Sequence, residues 1–195
     1  MHIGRHIIQE LVLAFGSPAI ERWSFPMQAE EFGLLRQKLA RQRAHDVTPV
    51  ITRGEEVAVV RKPGYPPGAY RLPSGGIHPE EAFLDGTVRE AFEETGLRIS
   101  VERYLLRVHT VFTLGKEEAG WTSHVMLARP LSGEIGPIDT REVESARWIR
   151  WEELLRSVNS ILSGSGQGGL AYRARLQERA HQVLEAPVPA GGAGP

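Results

Sequence analysis

Three glutamates lie close together on a predicted helix near the middle of the chain, within the stretch GGIHPEEAFLDGTVREAFEETGL (residues 75–97). Glu94 follows Glu90 by about one helical turn and Glu93 lies between them, so the three carboxylates crowd one side of the helix. These anions repel one another unless a cation binds them or water solvates them. Carboxylate oxygens, without a cysteine or histidine on that side, suit Mg²⁺ or Mn²⁺ better than Zn²⁺. We therefore expect Glu94→Gln to leave the metal-free protein unchanged or slightly more stable.

Two glycines and an arginine flank this acidic cluster. Gly75 and Gly76 precede the helix, and a residue without a Cβ lets the backbone approach a metal ion or a phosphate closely. Arg89 adjoins the acidic side, where its guanidinium can neutralise part of the charge and bind a carboxylate such as Glu81 or Glu93. The loop is therefore predicted to supply backbone groups, and the helix to supply charge.

The same stretch resembles the Nudix box, which runs glycine, five residues, glutamate, seven residues, Arg-Glu, an aliphatic residue, any residue, Glu-Glu, any residue, glycine and an aliphatic residue. The positions in register are Gly75, Glu81, Arg89, Glu90, Ala91, Glu93, Glu94, Gly96 and Leu97. Two departures are mild: Ala91 is smaller than the usual aliphatic residue, and Glu80 stands where many members have glycine. The resemblance extends loosely over residues 46–162. So many positions in register disfavour the alternative, a solvated acidic helix with incidental glycines.

The resemblance implies a fold, an activity and a cofactor. The fold is of the α/β class, an α/β/α sandwich with a mixed β-sheet, here with an N-terminal helical extension and a C-terminal helix. The activity is that of a Mg²⁺-dependent pyrophosphohydrolase, an enzyme that cleaves the diphosphate bond of a nucleoside diphosphate linked to another moiety. Mn²⁺ is expected to substitute for Mg²⁺. By position, the metal ligands would be Glu90, Glu94, Glu93 and the carbonyl of Gly75.

The resemblance also assigns catalytic and orienting roles. Glu81 and Arg89 would orient the metal ligands, and Arg89 and Glu90 are counted among the catalytic residues. A carboxylate must accept the proton of the attacking water, and either Glu93 or a glutamate outside the box can do so. Glu142 and Glu144 are the best outside candidates, although their positions also fit ordinary surface acids.

Substrate contacts are predicted from residues near the loop that precedes the box. Arg61 and Arg71 flank this loop and can hold phosphates, with simple solvation as the alternative. Phe112 can stack on a base, although aromatic residues in strands are more often packing residues. These residues do not select one nucleoside diphosphate derivative over another.

Composition excludes several other classes of protein. Lys+Arg number 23 and Asp+Glu number 24, a formal net charge of -1, so no global field attracts nucleic acid or an anionic membrane. The expected partner is a small-molecule nucleotide. The absence of cysteine excludes disulfides, thiolate nucleophiles and Cys-ligated zinc. Charged residues interrupt the apolar start of the chain, so neither a signal peptide nor a membrane span is predicted, and a cytoplasmic location is expected.

The chain is predicted to consist of an N-terminal helical extension (1–45), a hydrolase domain (46–162), a linker with a C-terminal helix (163–185) and a disordered tail (186–195). The extension contains two amphipathic helices, near 3–15 and 27–43. The second helix carries several basic residues, interpreted as a solvated face, with contact to a polyanion as the alternative. The apolar sides of both helices must be covered by the core or by a second copy in a homodimer.

The hydrolase domain is predicted to begin with a β-hairpin. Its predicted strands are 48–52, 56–61, a short strand near 71–72, 99–113, 121–128 and 146–150. The strands at 99–113 and 121–128 are joined by a hairpin loop with the sequence GKEEAG. Predicted helices are 79–95, which Gly96 ends, one from 151 onward, and 170–184.

Two other functions occur with the same fold, nucleotide binding without cleavage and isomerisation. A module of the same fold can bind a nucleotide without cleaving it, but such modules usually have a damaged box, and every ligand position is filled here. An isomerase of the same fold normally requires a nucleophilic cysteine, which this chain lacks. The pattern favours hydrolysis.

Overall fold

A mixed six-stranded β-sheet forms the centre of the protein. The structure, a computed structural model, describes residues 3–78 and 81–186. The strands are β1 (Ala19–Pro26), β2 (His45–Arg53), β3 (Glu56–Arg61), β4 (Arg98–Leu114), β5 (Glu117–Ser132) and β6 (Ser145–Arg150). They lie in the order β1-β4-β5-β2-β3-β6. The pairs β1–β4 and β2–β5 are parallel, and the other three pairs are antiparallel.

Helices cover both faces of this sheet. They are α1 (Arg5–Phe15), α2 (Ala29–Ala40), α3 (Phe83–Thr95), α4 (Trp151–Glu153), a π-helical turn (Leu154–Val158), α5 (Asn159–Gly164) and α6 (Gly168–Glu185). Because successive strand residues point to opposite faces, Val57 and Val59 pack towards α2, α5 and α6, whereas Ala58 packs towards α3. On the α3 side, Leu11 of α1 and Ile3, which precedes this helix, belong to a separate apolar cluster. The predicted α/β class with a mixed sheet is confirmed.

The N-terminal segment contains both predicted helices and also a strand that the sequence analysis missed. Strand β1 lies between α1 and α2 and extends the sheet by pairing in parallel with β4. Its pattern is weak because the strand lies at the sheet edge, ends on Pro26, and has Trp23 as its one fully buried residue. The Trp23 ring packs edge-on against Tyr172 of α6, with 6.0 Å between ring centroids. The N-terminal segment thus contributes a strand to the sheet as well as two helices that pack on it.

Helix α3 begins later than predicted. The sequence analysis placed its start at Pro79, which lies outside the described residues together with Glu80. Glu81 forms a turn instead, because its backbone N–H donates to the His78 carbonyl at 3.1 Å and its carboxylate accepts from the His78 N–H at 3.1 Å. Helix α3 starts two residues further on, at Phe83, and ends at Gly96, whose φ of 71° a glycine adopts without strain.

Two predicted hairpins differ in detail. Strands β2 and β3 share only two residue pairs, because β2 runs mainly alongside β5 in the parallel direction. Strands β4 and β5 are joined by a tight turn at Gly115 and Lys116, rather than by the whole GKEEAG loop, because Glu117 already pairs with Leu114. Strands β4 and β5 are thus longer than predicted, and more of their residues pair with each other.

The C-terminal helix α6 is attached to α2 through hydrogen bonds. The Glu31 carboxylate accepts from the backbone N–H groups of Gly168 and Gly169 at 3.1 and 2.9 Å, which caps the start of α6. The Gln28 side chain donates to the Gly166 carbonyl at 2.8 Å. Apart from Ala186, the predicted disordered tail lies outside the described residues. Within residues 3–78 and 81–186, no helix is both long enough and apolar enough to cross a membrane.

Candidate active site

A cavity of about 370 Å³ opens beside the acidic helix α3. Five parts of the chain line it: the box with the loop before it, the end of α2 with the start of β2, Trp121 of β5, the loop between β5 and β6, and Arg173 of α6. Of the sequence-predicted site residues, Arg71, Gly75, Arg89, Glu90, Glu93, Glu94 and Glu142 line this cavity. The structure therefore brings together most of the predicted site.

Arg89 joins the box residues into one hydrogen-bonded unit. Its guanidinium donates to both carboxylate oxygens of Glu81 at 2.8 and 2.9 Å, to Glu90 at 3.0 Å and to Glu93 at 2.9 Å. A further N–H donates to the Gly76 carbonyl at 3.0 Å. The hydrogen bond from Arg89 lowers the pKa of Glu81. One planar cation therefore sets the positions of three carboxylates relative to the loop.

Glu94 is the most enclosed carboxylate of the cluster, with a side chain that is 4% exposed. It pairs with Lys62 at 2.9 Å and with Arg71 at 3.4 Å, and it accepts a hydrogen bond from the Ser74 backbone N–H at 2.8 Å. Arg71 is itself buried and donates to the Ser74 hydroxyl at 2.8 Å. The sequence analysis treated the glutamates as mutually repelling, whereas in the structure cations surround Glu94.

Glu90 lies against the glycine loop. A Cβ on Gly75 would overlap the Glu90 carboxylate, so the position requires a residue without a side chain. Burial raises the pKa of Glu90 to about 7, while Arg89 opposes this shift and Glu94 and Glu93 add to it. The Glu90 carboxylate is thus held in a site that disfavours its charge, which is the electrostatic condition that a bound cation relieves.

The donor chemistry at this site fits a hard divalent cation. Glu90 and Glu94 offer carboxylate oxygens, and Gly75 offers a carbonyl that already accepts from the Val47 N–H at 2.9 Å but retains a second lone pair. In the described part of the chain, no group of three acidic or histidine side chains is gathered closely enough to hold a metal ion. The carboxylates are turned instead towards Arg89, Lys62 and Arg71.

Of the other predicted site residues, Glu142 lines the cavity and Arg61 does not. Glu142 lines the cavity, is largely exposed, and lies 3.5 Å from the Lys62 ammonium, so it stands within reach of the box. Arg61 is not among the lining residues and instead pairs with Glu144 at 3.2 Å. Lys62, its neighbour, lines the cavity instead.

Phe112, the predicted base-stacking residue, lies in the core. It is 3% exposed and packs between Phe25 and Tyr172, with ring centroids 6.4 and 5.3 Å away. This residue does not line the cavity, because its side of β4 faces the helices α2 and α6. Two other aromatic residues, Tyr65 and Trp121, line the cavity and can contact a base there.

Several cavity residues outside the box were missed at the level of sequence. These are Lys38, Arg43, His45, Asp46, Ser74, Trp121, Asp139 and Arg173. They come from α2, β2, β5, α6 and loops that are far apart in sequence, so only the tertiary fold brings them together. The basic residues of the second predicted helix, Lys38 and Arg43 among them, had been interpreted as solvated.

Two buried polar chains reach the cavity from the sheet. The Tyr172 hydroxyl donates to Ser123, which donates to Asp46, and Asp46 pairs with Arg173 at 2.8 Å. In the second chain, His45, the residue before Asp46, contacts His124 at 3.0 Å. These chains hold the start of β2 in a defined position beside the cavity.

Comparison with known proteins assigns the chain to a family. The sequence model of the NUDIX domain matches residues 40–163. The chain belongs to the NUDIX family. Two relatives are Nudix hydrolase 2 of Arabidopsis thaliana, 35% identical over 135 residues, and the NAD-capped RNA hydrolase NudC of Pseudomonas aeruginosa PAO1, 31% identical over 108 residues. These matches cover 61% and 54% of this chain but only 47% and 35% of the relatives. The chain therefore spans less than half the length of either relative.

A solved structure supports the fold. The NUDIX hydrolase from Nitrosomonas europaea superposes with a TM-score of 0.53 at 20% identity, covering 71% of this chain and 90% of that one. At this identity the likeness concerns the fold alone. The matched NUDIX region ends before α6 and begins after Lys38, so two cavity residues, Lys38 and Arg173, lie outside it.

Proposed function

We propose that the protein is a metal-dependent hydrolase that cleaves the diphosphate linkage of a nucleoside diphosphate joined to another moiety. The observation that carries this proposal is the unit built on Arg89, which orients Glu81, Glu90 and Glu93 beside the loop glycines in one cavity. Membership of the NUDIX family and the names of the relatives, a Nudix hydrolase and an NAD-capped RNA hydrolase, support the same reaction class.

The proposed cofactor is Mg²⁺, with Mn²⁺ able to replace it. Glu90, Glu94 and the Gly75 carbonyl would hold it, and Glu93 is a further candidate ligand. When bound, such an ion screens the anionic diphosphate and lowers the pKa of the attacking water. The protein residues do the remaining work: Arg89 holds the carboxylates in place, and Lys62 and Arg71 supply positive charge near Glu94.

The proton of the attacking water needs a carboxylate acceptor. Glu93 and Glu142 are the two candidates, and both line the cavity. Glu93 is 43% exposed and bonded to Arg89, and Glu142 is 67% exposed and lies near Lys62. Separate Glu93→Gln and Glu142→Gln variants decide between them, because loss of the base reduces turnover by roughly a hundredfold or more.

One observation favours a second function, nucleotide binding without cleavage. Among the described residues, the box carboxylates are paired with cations and no three-acid metal cluster is assembled. A sensing module needs the cavity but not the metal. Saturable binding of a nucleotide without any cleavage in the presence of Mg²⁺ would support this alternative.

The experiment that tests hydrolysis uses a panel of nucleoside diphosphate derivatives. The full chain is incubated with Mg²⁺ and ADP-ribose, NADH, UDP-glucose, coenzyme A or a dinucleoside polyphosphate, and the products are identified by mass. We expect at least one compound to yield two phosphorylated fragments, and EDTA to abolish the reaction. Full activity after exhaustive removal of metal would overturn the proposed site.

A further inference from the structure

Among the described residues, two cations of the cavity form no ion pair with a carboxylate. Lys62, Arg71, Arg89 and Arg173 each pair with an acid in the same cavity. Lys38 and Arg43 also line the cavity, but neither forms an ion pair with any acid in the described part of the chain. The cavity is thus divided electrostatically into a part where charges are matched and a part with unmatched positive charge.

The surroundings of Lys38 are unfavourable for a cation. Although the side chain reaches solvent, desolvation by the surrounding protein lowers the pKa of Lys38. Arg173, Lys62 and Arg71 lower it further by repulsion, and only Asp46 opposes the shift. An anion bound between these groups relieves this repulsion.

Arg43 lies over the loop that precedes the acidic helix. A Cβ on Gly76 would come within 3.4 Å of the Arg43 Nε, so the Arg43 guanidinium lies close to the side of Gly76 that carries no side chain. The Gly76 carbonyl accepts from Arg89 at 3.0 Å. Arg43 is therefore next to the box without taking part in its carboxylate network.

An aromatic residue lies beside this part of the cavity. His45 is paired in register with Thr122 across β2 and β5, and the Thr122 N–H donates to the Ala44 carbonyl at 2.9 Å. The backbones at Arg43 and Trp121 are consequently neighbours, and both residues line the cavity. A base stacked on the Trp121 indole would place its ribose near the unmatched cations.

The position of Lys38 is set by contacts that α2, which precedes the matched NUDIX region, makes with other elements. Glu31 at the start of α2 caps α6, and Arg36 in the middle of α2 pairs with Glu117 of β5 at 2.5 Å. The helix is thus attached at two points to other elements. Lys38, in its last turn, is held over the cavity by the same contacts.

We propose that Lys38 and Arg43 form a second anion subsite, which binds a phosphomonoester on the ribose of the nucleoside, separate from the diphosphate that is cleaved. This inference rests on the proposed function, because that function identifies the ligand as a nucleotide. A phosphomonoester carries about −1.5 to −2 charges at neutral pH, which matches two cations. The glutamates, with Lys62, Arg71 and Arg89, form the part of the cavity assigned to the diphosphate.

The test measures binding with nucleotides that contain no diphosphate and cannot be cleaved. Titration calorimetry compares AMP with adenosine 2′,5′-bisphosphate and adenosine 3′,5′-bisphosphate on the full chain. We expect at least one bisphosphate to bind more tightly than AMP by on the order of tenfold, the gain typical of a charge-assisted contact. Equal affinity for AMP and both bisphosphates would overturn the subsite.

Variants then locate the effect. Lys38→Gln and Arg43→Gln are each expected to remove most of the bisphosphate advantage while changing AMP affinity little, and Arg43→Lys is expected to retain part of it. Arg41→Gln is the matched control, because it removes one positive charge at an exposed position at the end of the same helix, outside the cavity lining. Equal weakening of AMP and the bisphosphates in Lys38→Gln would show that this lysine binds the 5′-phosphate, which contradicts the proposal.

Failure of the subsite can be distinguished from failure of the proposed hydrolysis. If the protein cleaves no compound of the panel but shows the bisphosphate advantage, hydrolysis fails and the subsite stands. If it cleaves a panel compound but shows no advantage, the subsite fails and hydrolysis stands. The absence of binding by all three nucleotides would overturn the subsite.

Discussion

At the residue scale, Glu94 differs from the other box glutamates in its surroundings. Lys62 and Arg71 pair with it and the Ser74 N–H donates to it, whereas Glu93 is 43% exposed and bonded to Arg89 alone. A carboxylate enclosed in this way stabilises the buried cation beside it. Its loss leaves Arg71 buried without a full counter-charge.

We therefore predict that Glu94→Gln lowers both turnover and stability. Loss of the charge should reduce turnover by on the order of a hundredfold to ten-thousandfold. The free energy of unfolding of the metal-free protein should fall by about 2 kcal/mol, because the Lys62 and Arg71 charges lose their partner. Paired measurements of turnover and of chemical denaturation check this. Glu93→Gln is the comparison, and a metal-free Glu94→Gln protein as stable as its parent would contradict the account.

This reverses the expectation drawn from the sequence, for a definable reason. The box spacing placed Glu90, Glu93 and Glu94 on one helix and gave Arg89 as their neighbour, because these contacts are local. The partners of Glu94 come from residues 62–74, a Pro/Gly-rich loop whose path no periodic pattern predicts. Local spacing thus predicted the acids but not the charges that surround Glu94.

At the scale of elements, α2 and α6 depend on each other although they are far apart in sequence. Glu31 accepts from the N–H groups of Gly168 and Gly169, which have no partner within α6. A Cβ on Gly168 would overlap the Pro26 carbonyl, so the start of α6 must approach the end of β1 closely. This junction sets the position of α2, and with it Lys38, over the cavity.

We predict that Glu31→Ala lowers the free energy of unfolding by about 1 kcal/mol, because three N–H groups, that of Gln28 at the start of α2 and those of Gly168 and Gly169 at the start of α6, lose a charged acceptor. Thermal and chemical denaturation measure the loss. Glu30→Ala is the matched control, since Glu30 precedes it on the same helix and is exposed. Equal stability of the two variants would show that the Glu31 contacts do not hold α6.

Deletion of residues 1–45 is predicted to abolish the soluble fold. The deletion removes β1 from the sheet, and it removes Ile3 and Leu11 from their apolar cluster, which leaves Tyr104 and Met126 uncovered. Solubility, circular dichroism and light scattering check this, and light scattering on the full chain tests the predicted homodimer. A truncated protein that stays soluble and equally stable would contradict the prediction.

The helices and strands that were predicted correctly are those whose sequence patterns depend on neighbouring residues alone. Helices α1 and α6 have apolar residues at helical spacing and occur near the predicted positions. The edge strand β1 was missed because Trp23 is its one fully buried residue. Lys38 was interpreted as part of a solvated helix face, and no role was predicted for Arg173, because only the tertiary fold brings α2 and α6 to the same cavity.

At the scale of the whole molecule, a buried histidine links stability to pH. His124 is fully buried between Tyr104, which contacts it at 2.5 Å, and His45, at 3.0 Å. Burial lowers the pKa of His124 well below its usual value, and His45, Arg107 and His109 add to the shift. The folded protein therefore excludes a proton that the unfolded chain binds.

The free energy of unfolding should consequently fall as pH drops below about 6.5, by up to about 1.4 kcal/mol per pH unit from this group. Above that pH both states are neutral at His124 and its contribution is constant. Chemical denaturation between neutral and mildly acidic pH measures the slope. His124→Phe should remove this share of the slope. What remains is the smaller share of His109, whose pKa burial and Arg107 also lower, and the opposite slope of Glu90, whose raised pKa lets the folded protein bind a proton before the unfolded chain does as pH falls below about 7. The exposed His6→Asn serves as control, and an unchanged slope in His124→Phe would exclude this origin.

The most direct test of the central claim is hydrolysis in water enriched with ¹⁸O. The best substrate of the panel is incubated with Mg²⁺ and either the wild-type chain or Glu90→Gln, and the fragments are weighed by mass spectrometry. We expect the wild-type chain to produce two phosphorylated fragments, one of which carries a single ¹⁸O atom on phosphorus, because water attacks the diphosphate. The Glu90→Gln variant should produce them at least about a hundredfold more slowly. No cleavage by the wild-type chain, or undiminished cleavage by Glu90→Gln, would contradict the account.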